Sequence, residues 1–222
     1  MAPAPIAFLH LHRTGGVSLW TMLKLSYHRR ALRINVTGAL PAGLAAGIRP
    51  KVRYIAGHMN WGLHEQLPVR YATVLRDPIE RALSNYEYWR AKREAAGLGA
   101  PFEDGGPVGE RGFLSRPHAS NLQSQMLAGV FRLMPKRPAG EALDLARQHL
   151  EEFFAVGFFD DLPGFARVLG LEDELPRANG VSRSFEPTRD QLERLRAQNQ
   201  ADIELYAWAR ARFATPQGGG MG

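Results

Sequence analysis

The 222-residue sequence contains no cysteine, and this absence removes several classes of function at once. Disulfide bonds, thiolate zinc sites and cysteine nucleophiles are excluded, and nothing indicates an oxidising compartment. The N-terminus, MAPAPIAFLHLHR, has no basic segment and its apolar stretch is too short for a signal peptide or a membrane span. We therefore expect a soluble, cytoplasmic protein without a membrane partner.

Runs of Lys and Arg are also missing, although the chain is basic overall. Lys and Arg number 28 against 22 Asp and Glu, which gives a formal charge of +6 that is mostly arginine. Planar guanidinium groups suit phosphate and carboxylate, so anionic ligands are expected. The basic residues are scattered without interleaved aromatic residues, and this pattern disfavours a nucleic-acid surface.

Composition and the order of elements predict the fold class. With 45% hydrophobic residues the chain can bury one sizeable core, so we predict one domain over residues 1–215 and a flexible tail over 216–222. Strand-like and helix-like segments alternate without a repeat, which predicts an α/β fold with a central, mostly parallel sheet flanked by helices. The predicted strands are residues 6–11, 54–56, 71–75 and 155–158. The predicted helices are residues 18–27, from 78 onward, near 118–128, 140–152 and from 188 onward.

Local signals refine several of these elements. The predicted helix caps are Ser18 for the first helix, Asp77 with Pro78 and Glu80 for the second, and Thr188 with Gln191 for the last. The buried face of the second helix is predicted to carry Ile79, Ala82, Leu83, Tyr86 and Trp89. Residues 97–117 are dense in Gly and Pro and are predicted to form a loop, either a lid over an acceptor or a disordered segment.

The stretch AFLHLHRTGGVSLWTML, residues 7–23, runs from an apolar strand through two glycines into an amphipathic helix. A helix N-terminus offers unpaired amides and partial positive charge, and glycine lets the backbone approach an anion. The residues that can wrap a phosphate or sulfate here are Arg13, Thr14, Gly15, Gly16, Val17 and Ser18. The two glycines are equally explained by a tight strand-to-helix turn. The turn has neither the lysine of a nucleoside-triphosphatase loop nor the pattern G-x-G-x-x-G, so a shorter anion-binding loop is indicated.

A second anion site is indicated by Arg76 and Ser84. Arg76 follows a predicted strand, where open α/β sheets place ligands, and Ser84 lies seven residues after Asp77 on the same face of the helix. The guanidinium and the hydroxyl can therefore converge on one phosphate. The alternative is that Arg76 pairs with a carboxylate and Ser84 is solvated. Two anion sites at the ends of two parallel strands suit a nucleotide that is phosphorylated at both ends.

These stretches resemble motifs of the sulfotransferases that use 3′-phosphoadenosine 5′-phosphosulfate (PAPS). AFLHLHRTGGVSL resembles their 5′-phosphosulfate loop, and YATVLRDPIERALSNYEYWR, residues 71–90, resembles their 3′-phosphate motif. With AGHMNWGLHE and SNLQSQML, the chain is similar to the carbohydrate branch, the uronosyl 2-O-sulfotransferases and their bacterial relatives, from about Phe8 to Phe213. The resemblance implies a P-loop-like sulfotransferase fold and transfer of a sulfuryl group from PAPS to a hydroxyl of a carbohydrate or similar small acceptor. The product would be adenosine 3′,5′-bisphosphate (PAP), and no metal is required.

The resemblance also implies catalytic roles. His58 occupies the position of the general base, and its ordinary pKa of about 6.5 suits that task, although a histidine can also cap a strand end. Arg13 stands where the family has a lysine that contacts the leaving oxygen. Arginine supplies charge but is a poor proton donor, so slow turnover, or PAPS binding without turnover, is the alternative. His12 could donate the proton instead or serve as a packing residue.

Further positions are implied on the acceptor side and over the nucleotide. Asn121 and Gln123 match an acceptor-side segment, the alternative being polar positions on a surface helix. His64 either lines the acceptor side or begins a helix. Asn179 and Arg183 resemble the loop that covers the 3′ end of the nucleotide. A phosphoryl-transfer kinase is the remaining alternative, and the missing loop lysine disfavours it.

Overall fold

A parallel β-sheet forms the centre of the computed structural model, which describes residues 4–34, 52–59, 61–65, 67–97, 120–130, 136–171 and 185–213. Within these ranges the sheet has five strands in the order β2-β3-β1-β4-β5, and every neighbouring pair is parallel. The strands are β1 (Ile6–Leu9), β2 (Ala31–Arg33), β3 (Tyr54–Gly57), β4 (Arg70–Leu75) and β5 (Ala155–Phe158). The predicted α/β class with a parallel sheet is confirmed.

Helices cover both faces of this sheet. In the described residues they are α1 (Gly16–Tyr27), α2 (Pro78–Ala95), α3 (Leu122–Leu127), α4 (Ala139–Glu151), α5 (Leu162–Val168), α6 (Arg189–Gln198) and α7 (Gln200–Phe213). Short 3-10 turns lie at His28–Arg30, Leu63–Glu65 and Phe159–Asp161. The elements form a single domain with a sheet between two helical layers.

The alternation of side chains along β1 divides the core into two halves. All four residues of β1 are buried, as expected for a central strand covered on both faces. Phe8 points to one face and belongs to a cluster with residues of α1 and α5, including Leu19 and Phe165. Leu9 points to the other face and belongs to a cluster with residues of α3, α4 and α7, including Leu127. The two-residue period of a strand therefore places successive residues in different cores.

The caps at Asp77 and Thr188 are confirmed, the capping-box contact of Glu80 stays a prediction, and the cap at Ser18 is wrong. The Asp77 carboxylate accepts hydrogen bonds from the amides of Ile79 at 3.0 Å and Glu80 at 2.9 Å, with Pro78 in the first turn. Thr188 and Gln191 form the predicted capping box of α6. Ser18 does not cap α1, because the helix begins at Gly16 and its cap is Gly15 in a left-handed conformation.

Other differences concern boundaries and short elements. The first strand ends at Leu9 rather than residue 11, although the amide of His10 still donates to Gly57 at 2.9 Å. The helix predicted from residue 188 is two helices, α6 and α7, which are separated at Asn199. Trp89 is 37% exposed and not part of the buried face of α2. The strand β2 and the helix α5 were not predicted, and most of the predicted loop 97–117 lies outside the described residues.

The strand order favours a ligand-binding crevice between β1 and β4. The chain leaves β1 towards β2 on one side of the sheet, whereas it leaves β4 towards β5 on the other side. Neighbouring strands whose connections diverge in this way leave an opening at their carboxyl ends, where open α/β sheets bind ligands. The turn that contains Arg13 and the residues around Arg76 both lie at this opening.

Candidate functional site

The turn between β1 and α1 ends in a helix N-terminus that carries no acidic residue. Gly15 has a φ of 84°, which favours glycine, and no side chain caps the helix. The first helical amide with a backbone partner is that of Leu19, which donates to Gly15 at 3.2 Å. The amides of Gly16, Val17 and Ser18 precede it and have no acceptor within the helix. Together with the helix dipole, this end of α1 favours an anion.

Packing explains both glycines without a ligand. A Cβ atom on Gly15 would lie 2.6 Å from Leu162 Cδ1, and the positive φ strains any other residue. A Cβ atom on Gly16 would overlap the imidazole of His10. The side chain of Thr14 turns inward, since its hydroxyl donates to Leu11 O at 2.9 Å and the residue is fully buried. A tight turn therefore accounts for the two glycines, and an anion role depends on the amides and on Arg13.

Hydrogen bonds join the two predicted anion sites. Arg13 Nε donates to Ser84 Oγ at 3.2 Å, and Arg76 Nη1 donates to the carbonyl oxygen of Arg13 at 3.1 Å. The Arg76 guanidinium also lies over the ring of Phe159 at 4.1 Å. The structure thus links Ser84 to the side chain of Arg13, and Arg76 to the backbone of Arg13, whereas the predicted convergence of Arg76 and Ser84 on one phosphate stays a prediction.

Arg13 has an unusual backbone and a half-buried side chain. Its φ is 67°, in the left-handed region, and its guanidinium lies over the ring of Tyr88 at 4.8 Å. Burial lowers the pKa of Arg13, and the nearby Tyr88 opposes this shift. Tyr88 lies one helical turn after Ser84, so α2 contributes both contacts.

His58 follows β3 and is held by the residue that follows β1. Its Nδ1 lies 2.7 Å from the carbonyl oxygen of His10. A carbonyl oxygen only accepts hydrogen bonds, so Nδ1 carries the proton, and the lone pair of the neutral ring is on Nε2. This is the tautomer that a general base acting through Nε2 requires.

Three imidazole rings are stacked beyond the carboxyl ends of β1 and β3. The ring of His58 lies 4.4 Å from the ring of His10 and 4.0 Å from the ring of His12. His10 is buried, and this burial is the main reason that its pKa lies well below the usual range of histidine. The charges of His58 and His12 lower the pKa further. His10 is therefore neutral near pH 7 and supports His58 through its ring and its carbonyl group. Among the described residues, no three His, Asp or Glu side chains are grouped to hold a metal ion.

Gln123 and Asn121 lie at the start of α3 and make contacts inside the protein. Gln123 is 1% exposed, and its side-chain amide bonds the backbone of Arg76. Asn121 has a φ of 47°, and its Oδ1 accepts from the amide of Asp202 at 3.2 Å. Neither side chain lies on a solvated helix surface, and their predicted contact with an acceptor stays a prediction.

The remaining predicted residues are only partly placed. The backbone of His64 lies in the 3-10 turn Leu63–Glu65, near the end of β3 in the chain. Asn179 and Arg183 lie outside the described residues. Sequence reasoning missed the supporting role of His10 and the buried Asp202. Both had a signal: His10 continues the alternation of Phe8, and Asp202 lies beside buried Ala201 on the inner side of α7.

Comparisons with known proteins add no family to this description. No protein-family model matches the chain, and the chain has no match among curated proteins. Within the described residues no helix combines the length and apolar character that crossing a membrane requires. What is established is an α/β domain in which Arg13, Arg76 and Ser84 are linked by hydrogen bonds after β1 and β4, and in which a histidine stack follows β1 and β3.

Proposed function

We propose that the protein is a PAPS-dependent sulfotransferase that transfers a sulfuryl group to a hydroxyl of a carbohydrate or a similar small acceptor. The observation that carries the proposal is the connection from Ser84 through Arg13 to Arg76 across the crevice. It joins two anion-binding candidates from different strands at the place where a nucleotide with two charged ends would lie. His58, whose Nδ1 is held by the carbonyl oxygen of His10 near the same edge, supplies the base that the reaction needs.

In this proposal the amides at the start of α1 and the guanidinium of Arg13 bind the 5′-phosphosulfate. Arg76 and Ser84 bind the 3′-phosphate. A short amide-lined turn is sufficient because the terminal sulfuryl group carries less charge than a phosphoryl group. To admit the nucleotide, the Arg13 side chain exchanges its contact with Ser84 for contacts with the ligand.

The transfer step then follows from the positions of His58 and Arg13. Nε2 of His58 takes the proton of the acceptor hydroxyl while the hydroxyl oxygen attacks sulfur. The new bond joins that oxygen to sulfur, and the bond between sulfur and the bridging phosphate oxygen breaks. The electron pair of the broken bond stays on PAP, where Arg13 stabilises the negative charge. The products are a sulfate ester, PAP and a proton on His58 that passes to solvent.

Arg13 decides between turnover and binding alone. A lysine would donate a proton to the leaving oxygen more readily than an arginine. Arginine can still stabilise the negative charge on the leaving oxygen, because it remains a cation. We therefore expect measurable turnover from the natural chain and faster turnover from Arg13→Lys.

The experiment has a binding arm and a transfer arm. Calorimetric titration compares PAP with ATP and magnesium; tighter binding of ATP with magnesium would favour a phosphoryl-transfer kinase. Single-turnover reactions with sulfur-labelled PAPS and a panel of hydroxyl compounds compare the natural chain, Arg13→Lys and a control, Arg29→Lys, at an exposed position. Label in an acceptor from the natural chain supports the proposal. Transfer by Arg13→Lys alone indicates a non-catalytic PAPS-binding protein, and no PAP binding by any variant overturns the proposal.

A further inference from the structure

The side chain of Gln123 bonds both backbone groups of Arg76. Gln123 Nε2 donates to Arg76 O at 2.9 Å, and the amide of Arg76 donates to Gln123 Oε1 at 3.0 Å. Regular strand pairing ends one residue earlier, at Leu75 opposite Phe158. The amide of Gln123 therefore takes the place of a neighbouring strand for the first residue after β4. Since Gln123 is 1% exposed, water does not compete strongly for these bonds.

Gln123 is held in turn by a carboxylate of the last described helix. Asp202 Oδ2 accepts from the amide of Gln123 at 2.9 Å. Asp202 Oδ1 accepts from the amide of Ser124 at 2.8 Å and from its hydroxyl at 2.7 Å. Asp202 is fully buried, so α7 binds the otherwise unpaired amides at the start of α3 without solvent. A continuous path of hydrogen bonds connects α7 to the backbone of Arg76.

The guanidinium of Arg76 extends from the backbone that Gln123 holds. It donates to the carbonyl oxygen of Arg13 and lies over the ring of Phe159. A long side chain loses rotational freedom when it binds an anion, and a fixed backbone reduces how much remains to be lost. A side chain that binds a phosphate must also be held close to its binding geometry, and supporting hydrogen bonds provide this restraint.

We propose that Gln123, anchored by Asp202, is a positioning residue that aims Arg76 at the second phosphate of the nucleotide. The inference rests on the proposed function, because it assigns the 3′-phosphate to Arg76. It gives Gln123 a role different from contact with the acceptor. The consequence is that Gln123 sets how strongly the protein prefers PAP over adenosine 5′-phosphate, which lacks the second phosphate.

The chain contains a matched control for this role. Gln125 lies two residues later in α3, is 5% exposed and bonds the backbone of Arg137 in the same way. Its Nε2 donates to Arg137 O at 2.8 Å, and the amide of Arg137 donates to its Oε1 at 3.1 Å. Arg137 is not part of the proposed site. Gln123→Met and Gln125→Met therefore remove equivalent hydrogen bonds at a similar side-chain volume, and only the first touches Arg76.

The test measures the affinities of PAP and adenosine 5′-phosphate by calorimetry for each variant. The ratio of the two affinities is independent of the fraction of protein that is folded. We expect the ratio of PAP affinity to adenosine 5′-phosphate affinity to fall about tenfold in Gln123→Met. This factor corresponds to roughly one net hydrogen bond in binding free energy. We expect Gln125→Met to keep the preference within about twofold, since its loss affects stability alone.

The outcomes separate this inference from the proposed function. If the natural chain binds the two nucleotides equally, the proposed 3′-phosphate site is wrong. If the natural chain prefers PAP and Gln123→Met keeps the full preference, the positioning role is wrong. Should Gln123→Met not fold, Gln123→Asn retains an amide that is too short to bond both groups of Arg76. Its preference is expected to fall in the same direction, and an unchanged ratio would again refute the inference.

Discussion

Replacing Gly16 with alanine is expected to disturb the histidine stack rather than the backbone of the turn. Gly16 is the first residue of α1 and lies outside the left-handed region, so helix propensity alone favours alanine by up to about 1 kcal/mol. The added Cβ would, however, lie closer than 3.0 Å to three ring atoms of His10. This ring is buried and packed against Phe8 and His58. Overpacking of this kind costs about 1–3 kcal/mol, so we expect a net destabilisation of about 1–2 kcal/mol.

A double-mutant cycle with His10→Ala tests where this cost arises. Without the imidazole, the space beside Gly16 accepts a methyl group, so Gly16→Ala is expected to be neutral or to stabilise by up to about 1 kcal/mol. Urea denaturation of the natural chain, both single variants and the double variant measures the four free energies of unfolding. A coupling free energy of about 2 kcal/mol is expected for residues in direct contact. Equal destabilisation by Gly16→Ala in both backgrounds would show that His10 is not the obstacle, and the reasoning about the stack would fail.

Three further changes test the site and its supports. His58→Asn keeps a donor for the carbonyl of His10 and removes the base. The rate of transfer from PAPS should therefore fall about 10²–10⁴-fold, while the PAP affinity measured by calorimetry stays unchanged. A retained rate would exclude His58 from the chemistry. Burial holds the pKa of His10 low, so the unfolded chain binds a proton that the folded chain does not, and stability should fall below about pH 6.5 by up to about 1.4 kcal/mol per pH unit. Urea denaturation at several pH values should show that the free energy of unfolding of His10→Phe depends less on pH between the usual histidine pKa and the lowered one. An equally steep pH dependence in this variant would show that other groups cause the loss of stability. Asp77→Ala should cost about 1 kcal/mol of stability by removing the cap of α2, whereas Asp77→Asn should cost much less; equal losses would refute the capping role.

Most of the sheet could be predicted because the central strands are buried on both faces. A strand such as β1, with four consecutive buried residues, leaves a continuous apolar run in the sequence. The strand β2 has three half-exposed or exposed residues and leaves no such run, so it was missed. The caps at Asp77 and Thr188 were predictable because they depend on residues within one turn. Ser18 was assigned wrongly, since a left-handed Gly15 caps α1 without a side-chain hydrogen bond.

The candidate site was predicted in its parts but not in its contacts. The turn at Arg13 and the residues Arg76 and Ser84 carried local signals. Their meeting depends on the strand order, which places β4 directly beside β1, and local spacing does not encode strand order. The bond between Gln123 and Arg76 joins residues 47 positions apart and follows only from tertiary packing. The same holds for Trp89, whose exposure reflects how α2 packs against α6 through Leu83.

The location of Asp202 has a consequence for the order in which the protein becomes competent during synthesis. A nascent chain that has emerged through α5 already contains both loops of the crevice, the histidines and all five strands. The start of α3 still lacks its carboxylate anchor at that stage, because Asp202 belongs to α7. We expect a ribosome-bound intermediate of this length to collapse around its sheet and yet hold the nucleotide poorly. If the proposed function is correct, docking of α7 therefore completes the support of Arg76 and raises nucleotide affinity late in synthesis.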